Sequence, residues 1–185
     1  MRGRGLRWRM VRVGRPVSVD LALRAWVVAS RSLTAAMRRH WPGSFQVRVL
    51  FEGWAMAAGE EALRLGWPGR RRAWIREVAL VGDGVVRILA RSVIPVDSRV
   101  AVRGLGNRPL GDRLFMGAGS DREPLEVARV THRHWLSQHF QGLEPGAAQA
   151  RWARRAVHRL RGRPLLVTEL FLPDLLVRRR DGEES

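Results

Sequence analysis

Cysteine, lysine and tyrosine are absent from this 185-residue chain, and asparagine occurs once, at Asn107. The lack of cysteine excludes a disulfide framework, a thiolate metal centre and a cysteine nucleophile, and it fits a reducing compartment. No apolar run reaches the roughly 18 residues that a membrane-spanning helix needs. The basic start MRGRGLRWRMVRVGRPVSV is interrupted by Arg throughout and holds no apolar core of signal-peptide length. A cytoplasmic protein without membrane insertion is expected.

The formal charge is +17 and the pI about 11.9, values that ordinarily point to a polyanion partner. Every basic residue is Arg, however, beside abundant Ala, Gly, Leu and Val, the pattern that a GC-rich coding bias imposes. The Arg residues are spread diffusely and form no defined reading element, so no nucleic-acid partner is expected. Their field would still draw small anions inward. The length suits one domain with a real core. It is expected over residues 18–175, between a basic, loosely ordered extension at 1–17 and a charged tail at 176–185.

Periodicity predicts mixed elements without repeats. Leu21, Leu23, Trp26 and Val27 mark a helix within Asp20 to Ser30, and Ser32 can cap a second one through Leu33, Ala36 and Met37. Phe45 to Met56 reads as a strand with Gly53 a possible bulge, and Glu60 to Leu65 as a helical turn. Ala73 to Val81 and Val85 to Ile94 read as strands joined by a Gly82-Asp83-Gly84 turn. A helical or lid-like segment from Val100 to Phe115 precedes a strand near Leu125 to Thr131, and His132 to Gln149 reads as a long loop with some helix. Arg154 to Leu160 and Leu165 to Leu172 form a second hairpin. The expectation is a single α+β domain with an antiparallel sheet and flanking helices.

Two features suggest chemistry. In PLLVTELFLP, Glu169 sits within a strand whose two faces both look buried, so its carboxylate should either meet a cation or serve a ligand. In the first hairpin, a two-residue turn at Asp83-Gly84 would set Arg76 opposite Arg91, Trp74 opposite Val93 and Val78 opposite Leu89. Two guanidinium groups on one face would make a site for a small dianion. Alternatively, both point to solvent at the sheet rim, or a longer turn shifts the register and separates them.

Other constellations are weaker. His132, His134 and His139 match no common metal spacing and read as surface residues, so no metal is expected. Gly104-Leu105-Gly106 and Gly117-Ala118-Gly119 lack the context of a dinucleotide fingerprint and read as loop glycines. Neither a G-x-S-x-G elbow nor an arguable Ser-His-Asp triad is present. Trp26, Trp54, Trp74 and Trp152 read as core and pocket wall rather than a base-stacking platform.

The blocks WIREVALVGDG, ARSVIPV, GNRPLGDRLF and WARRAVHRLRGRPLLVTELFLP, in this order, closely resemble the chorismate pyruvate-lyase family, from about Asp20 to Asp174. The resemblance implies conversion of chorismate to 4-hydroxybenzoate and pyruvate for ubiquinone synthesis. It also implies a monomer with a six-stranded antiparallel sheet and no metal or organic cofactor. By the family's motifs the substrate-contacting residues are Arg76, Glu169, Leu110 of the P-L-G block and Leu33 of an S-L-T segment, where a methionine is usual. The stretch from Thr131 to Arg151 is longer than the family norm, and the basic N-terminal extension has no counterpart.

On this resemblance Arg76 holds the ring carboxylate of chorismate, helped by main-chain NH groups near Leu33 and Leu110. Arg91 meets the enolpyruvyl carboxylate, and Glu169 accepts a hydrogen bond from the ring hydroxyl. Two rival classes stand beside the enzyme. One is an effector sensor, since ligand-sensing domains of transcription regulators use a similar fold, although too few residues precede Asp20 for a winged helix. The other is a nucleic-acid binder exploiting the Arg excess.

Overall fold

The computed structural model describes residues 6–11, 19, 21–28, 32–102, 104–115, 120–160 and 162–176. Its strands are β1 (Arg9–Met10), β2 (Gln46–Met56), β3 (Arg72–Gly82), β4 (Val85–Ile94), β5 (Ser120–Arg122), β6 (Glu126–Arg129), β7 (Trp152–Leu160) and β8 (Arg163–Phe171). The helices are α1 (Leu21–Val27), α2 (Leu33–His40), α3 (Gly59–Arg64), α4 (Leu110–Phe115) and α5 (Trp135–Gln141), with single 3₁₀ segments at Val96–Val102, Pro145–Gln149 and Pro173–Leu176. Most of the chain expected to be an extension, the tail beyond residue 176 and Gly117-Ala118-Gly119 lie outside the described residues.

All strands join one antiparallel sheet. Seven stand side by side in the order β1-β6-β7-β8-β4-β3-β2, and β5 pairs with β7 farther along the same edge as β6. The α+β class is as expected, but six strands is too few, because β1 and β5 add short edge pairings. β1 pairs with β6 through Arg9 opposite Val127.

The first hairpin turns as predicted. Asp83 and Gly84 both have positive φ, 52° and 71°, as a type I′ turn requires, and Gly82 faces Val85. Two residues later the register slips. Val81 pairs with Val86 but Leu80 pairs with Ile88, so Arg87 is the extra residue of a β-bulge. The Arg87 side chain is buried and lies 4.9 Å over the Trp41 ring. Its Nε donates to the Gly82 carbonyl at 3.1 Å, and Nη1 donates to the Asp174 carbonyl. A second irregularity falls at Leu50 in β2, not at Gly53.

Both faces of the sheet are covered. On one, Leu80, Ile88, Ala156 and Phe171 pack under Val27 of α1 and Leu33 and Met37 of α2, and Ile94 and Leu165 pack under Leu114 of α4. On the other, Ala79, Leu89, Ala153 and Leu170 pack under Leu136 and Phe140 of α5. Thus the region expected as a long loop with some helix does contain one, and that helix covers the sheet. Its His134 accepts from the Leu136 NH at the helix start and is buried, contrary to its expected surface position. No helix among the described residues is long and apolar enough to cross a membrane.

Candidate active site

A cavity opens on the sheet face beneath α2 and α4, with about 710 Å³ of empty space including its mouth. Its floor is a patch of facing residues: Arg76 and Val78 from β3, Ala90 and Ser92 from β4, Val167 and Glu169 from β8, and Arg154, Ala156 and His158 from β7. Alternation along each strand brings these to one face, and the register aligns them in rows. Arg76 faces Ser92 and Ser92 faces Val167, while Ala90 faces Glu169 and Glu169 faces Arg154.

Arg76 is 2% exposed. Its Nη1 donates to Glu52 on β2, and Nη2 donates to the carbonyls of Gly106 at 2.7 Å and Arg108 at 3.2 Å. These bonds aim the guanidinium without using all five of its donors. Gly104 and Gly106, both at positive φ, shape the loop that presents the Gly106 carbonyl.

Glu169 does meet a cation. Arg154 Nε donates to Glu169 Oε2, and Arg154 Nη1 donates to the Trp26 carbonyl at 3.0 Å, which ties the pair to the end of α1. The carboxylate still lines the cavity, so pairing and ligand access coexist at this position.

Leu33 and Leu110 are the first residues of α2 and α4, and both line the cavity wall. Ser32 caps α2 by accepting from the Ala35 NH at 3.3 Å. The two helix starts lie against each other. A Cβ on Gly111 would come within 2.6 Å of Thr34 Oγ1, so only glycine fits without a shift. A bidentate Arg38–Asp112 pair, with bonds of 2.9 and 2.8 Å, bridges the helices.

Residues 13–181 match the family model for chorismate lyase. The chain belongs to the chorismate lyase family. It is 40% identical to the probable chorismate pyruvate-lyase of Dechloromonas aromatica, over 83% of this chain and 88% of that one. It is 38% identical to that of Methylococcus capsulatus, over 83% and 96%. A solved structure, the C-terminal domain of the histidine utilization repressor from Pseudomonas syringae, aligns with a TM-score of 0.51 at 9% identity, covering 76% of this chain and 99% of that domain. At that identity the likeness concerns the fold only.

Against the chorismate lyase expectation, Arg91 needs correction. The Arg87 bulge moves β4 by one residue, which reverses the facing of every side chain beyond it. Arg76 therefore faces Ser92, with Trp74 opposite Ile94 and Val78 opposite Ala90. Arg91 points to the far side of the sheet and faces Glu77. There its Nε donates to Glu61 at 2.8 Å and its Nη1 to Glu77. His139 Nε2 lies 2.5 Å from the same Glu77 carboxylate. Burial pushes the Glu77 carboxyl up, but the hydrogen bonds with His139 and Arg91 outweigh it and hold it below its ordinary value. The arginine pair proposed from spacing is thus divided between the two faces.

The cavity also contains groups with no strong sequence signal. His158 is buried, and burial above all, then the Arg122 and Arg154 charges, pull it down to about 4 against the opposing pull of Glu169. It is neutral at pH 7. Arg122 on β5 faces His158 in register and lines the same wall. The histidines of the long segment do not converge: His134 lies 3.4 Å from Glu60, His139 meets Glu77, and His132 is exposed. Trp152 joins the core and Trp26 packs against it, while Trp54 and Trp74 form an edge-on pair outside the cavity wall.

Proposed function

We propose that this chain is a chorismate pyruvate-lyase, eliminating pyruvate from chorismate to leave 4-hydroxybenzoate, with no metal or organic cofactor. The observation that carries the reading is that Arg76 and Glu169, the family's motif arginine and glutamate, line one cavity from strands two apart in the sheet. Chorismate has its ring carboxylate and ring hydroxyl at opposite ends of a six-membered ring, so a cation and an acceptor separated across a cavity complement it. Arg76 holds the ring carboxylate, assisted by first-turn NH groups at Leu33 and Leu110, which have no intrahelical acceptor. Glu169 accepts the hydrogen bond from the ring hydroxyl.

The reaction needs little chemistry from the protein. The hydrogen on the hydroxyl-bearing carbon leaves, and the adjacent ether bond breaks with its electron pair on oxygen. The new ring double bond completes the aromatic system. The proton passes either to Glu169 or, in a cyclic step, directly to the enolpyruvyl methylene carbon, which gives pyruvate at once. In both routes orientation of the substrate in the cavity supplies most of the acceleration. We read the protein as a cytoplasmic monomer whose product enters ubiquinone synthesis, on the strength of the family resemblance.

The test is purified protein with chorismate and no added metal, following pyruvate and 4-hydroxybenzoate together by chromatography. Equal appearance of both products is expected. Chorismate that binds without turnover would convert the reading to that of an effector-binding relative, and chorismate that neither binds nor reacts would refute it.

A further inference from the structure

Chorismate has a second carboxylate, on the enolpyruvyl group, and with Arg91 on the far face of the sheet another cation must receive it. The cavity's charges are mostly compensated internally. Arg76 is paired with Glu52 and Arg154 with Glu169, while His158 is neutral at pH 7. Arg122 is the exception. It lines the cavity half-buried, and among the described residues no hydrogen bond or ion pair is made by its side chain. Burial, and then the Arg154 charge, hold its pKa below the ordinary arginine value, with Glu169 acting in the opposite direction. An unpaired guanidinium beside a second one is costly unless an anion completes the group.

The ligand's own geometry selects the same place. The enolpyruvyl ether sits on the ring carbon next to the hydroxyl-bearing one. With the ring carboxylate at Arg76 and the hydroxyl at Glu169, the second carboxylate must lie at the Glu169 end. Arg122 is on that side of the sheet: β5 pairs with β7, whose Arg154 meets Glu169, whereas Arg76 stands on β3 beyond β4, and both the Arg154 and Glu169 charges act on it. We infer that Arg122 binds the enolpyruvyl carboxylate of chorismate and so distinguishes substrate from the aromatic product, which lacks that group. This assignment rests on the lyase reading above. As the ether bond breaks, the same guanidinium faces the departing three-carbon fragment and helps neutralise charge gathering on its oxygen.

The test uses Arg122→Gln and Arg122→Lys, with steady-state kinetics on chorismate and equilibrium binding of 4-hydroxybenzoate. For Arg122→Gln the expected result is a rise of about ten- to hundredfold in KM for chorismate, the usual scale for losing a charge-assisted pair. Binding of 4-hydroxybenzoate should change less than about twofold, which also reports an intact fold. Arg122→Lys should recover part of the loss, because it keeps the charge but not the planar fork. Unchanged chorismate kinetics in an active enzyme, or an equal loss of 4-hydroxybenzoate binding, would overturn the Arg122 role and leave the lyase reading standing. A wild-type protein without lyase activity would remove both.

Discussion

Arg154 on β7 and Glu169 on β8 are register partners, and their side chains meet on the cavity floor, Arg154 Nε donating to the carboxylate. Two elements converge on Arg154, since its Nη1 also reaches the Trp26 carbonyl behind α1. The carboxylate that lines the cavity is therefore held by the sheet and the helix layer together.

Glu169→Gln should keep appreciable activity, because an amide can still accept a hydrogen bond from the ring hydroxyl. Arg76→Ala should reduce kcat/KM by about 10²- to 10³-fold, since it removes the ring-carboxylate contact and takes the paired cation from Glu52. Steady-state kinetics of the two variants check the ranking. Near-complete loss in Glu169→Gln would assign the proton to that carboxylate.

Arg91→Met is expected to behave as a stability mutation. It strips the cation from Glu61 and Glu77, both buried, at a cost of about 3–5 kcal/mol. Denaturant unfolding should show this loss, while kcat/KM per folded molecule stays within about twofold. A KM for chorismate raised tenfold in the folded variant would return Arg91 to the substrate site.

His158 predicts an acid-sensitive fold. Its value is lowered from 6.5 to about 4 in the folded chain, so between those values the unfolded chain binds more protons. The stabilisation is complete above pH 6.5 and is lost as pH falls toward 4, a change on the order of 3 kcal/mol. Urea unfolding of the wild type and of His158→Gln at pH 7 and pH 4.5 should show a flatter pH response in the variant. Glu77, a carboxyl held below its ordinary 4.5, acts at lower pH.

Gly111→Ala should loosen the cavity wall. The added Cβ would press on Thr34 Oγ1 at 2.6 Å, and pushing α2 and α4 apart is expected to cost about 1–3 kcal/mol and lower kcat/KM. Combining it with Thr34→Ala removes that hydroxyl and should recover much of the stability. A double variant no better than the single one would count against this contact.

Local signals were enough for much of this protein. Strand β4 has the bounds that its apolar run and the Asp83-Gly84 turn predict, and Ser32 caps α2 because a hydroxyl beside free NH groups needs no distant partner. The motif residues Arg76, Glu169, Leu33 and Leu110 all line one cavity, since alternation along a strand and the start of a helix are properties of the chain itself. The two- and three-residue strands β1 and β5 are too short to show a period, which is why the sheet is wider than expected and why Arg122 had no pattern to mark it.

The sequence by itself determined the family, the α+β class and the strands that would carry the motif residues. The tertiary structure decided which face each side chain occupies. A single bulge at Arg87, held by the Trp41 ring and the Asp174 carbonyl, sends Arg91 to the far side of the sheet and sets Ser92 against Arg76. Those anchors lie 46 residues before Arg87 and 87 after it in the chain, and a strand has a period of two, so one inserted residue chosen by distant contacts reverses every facing beyond it.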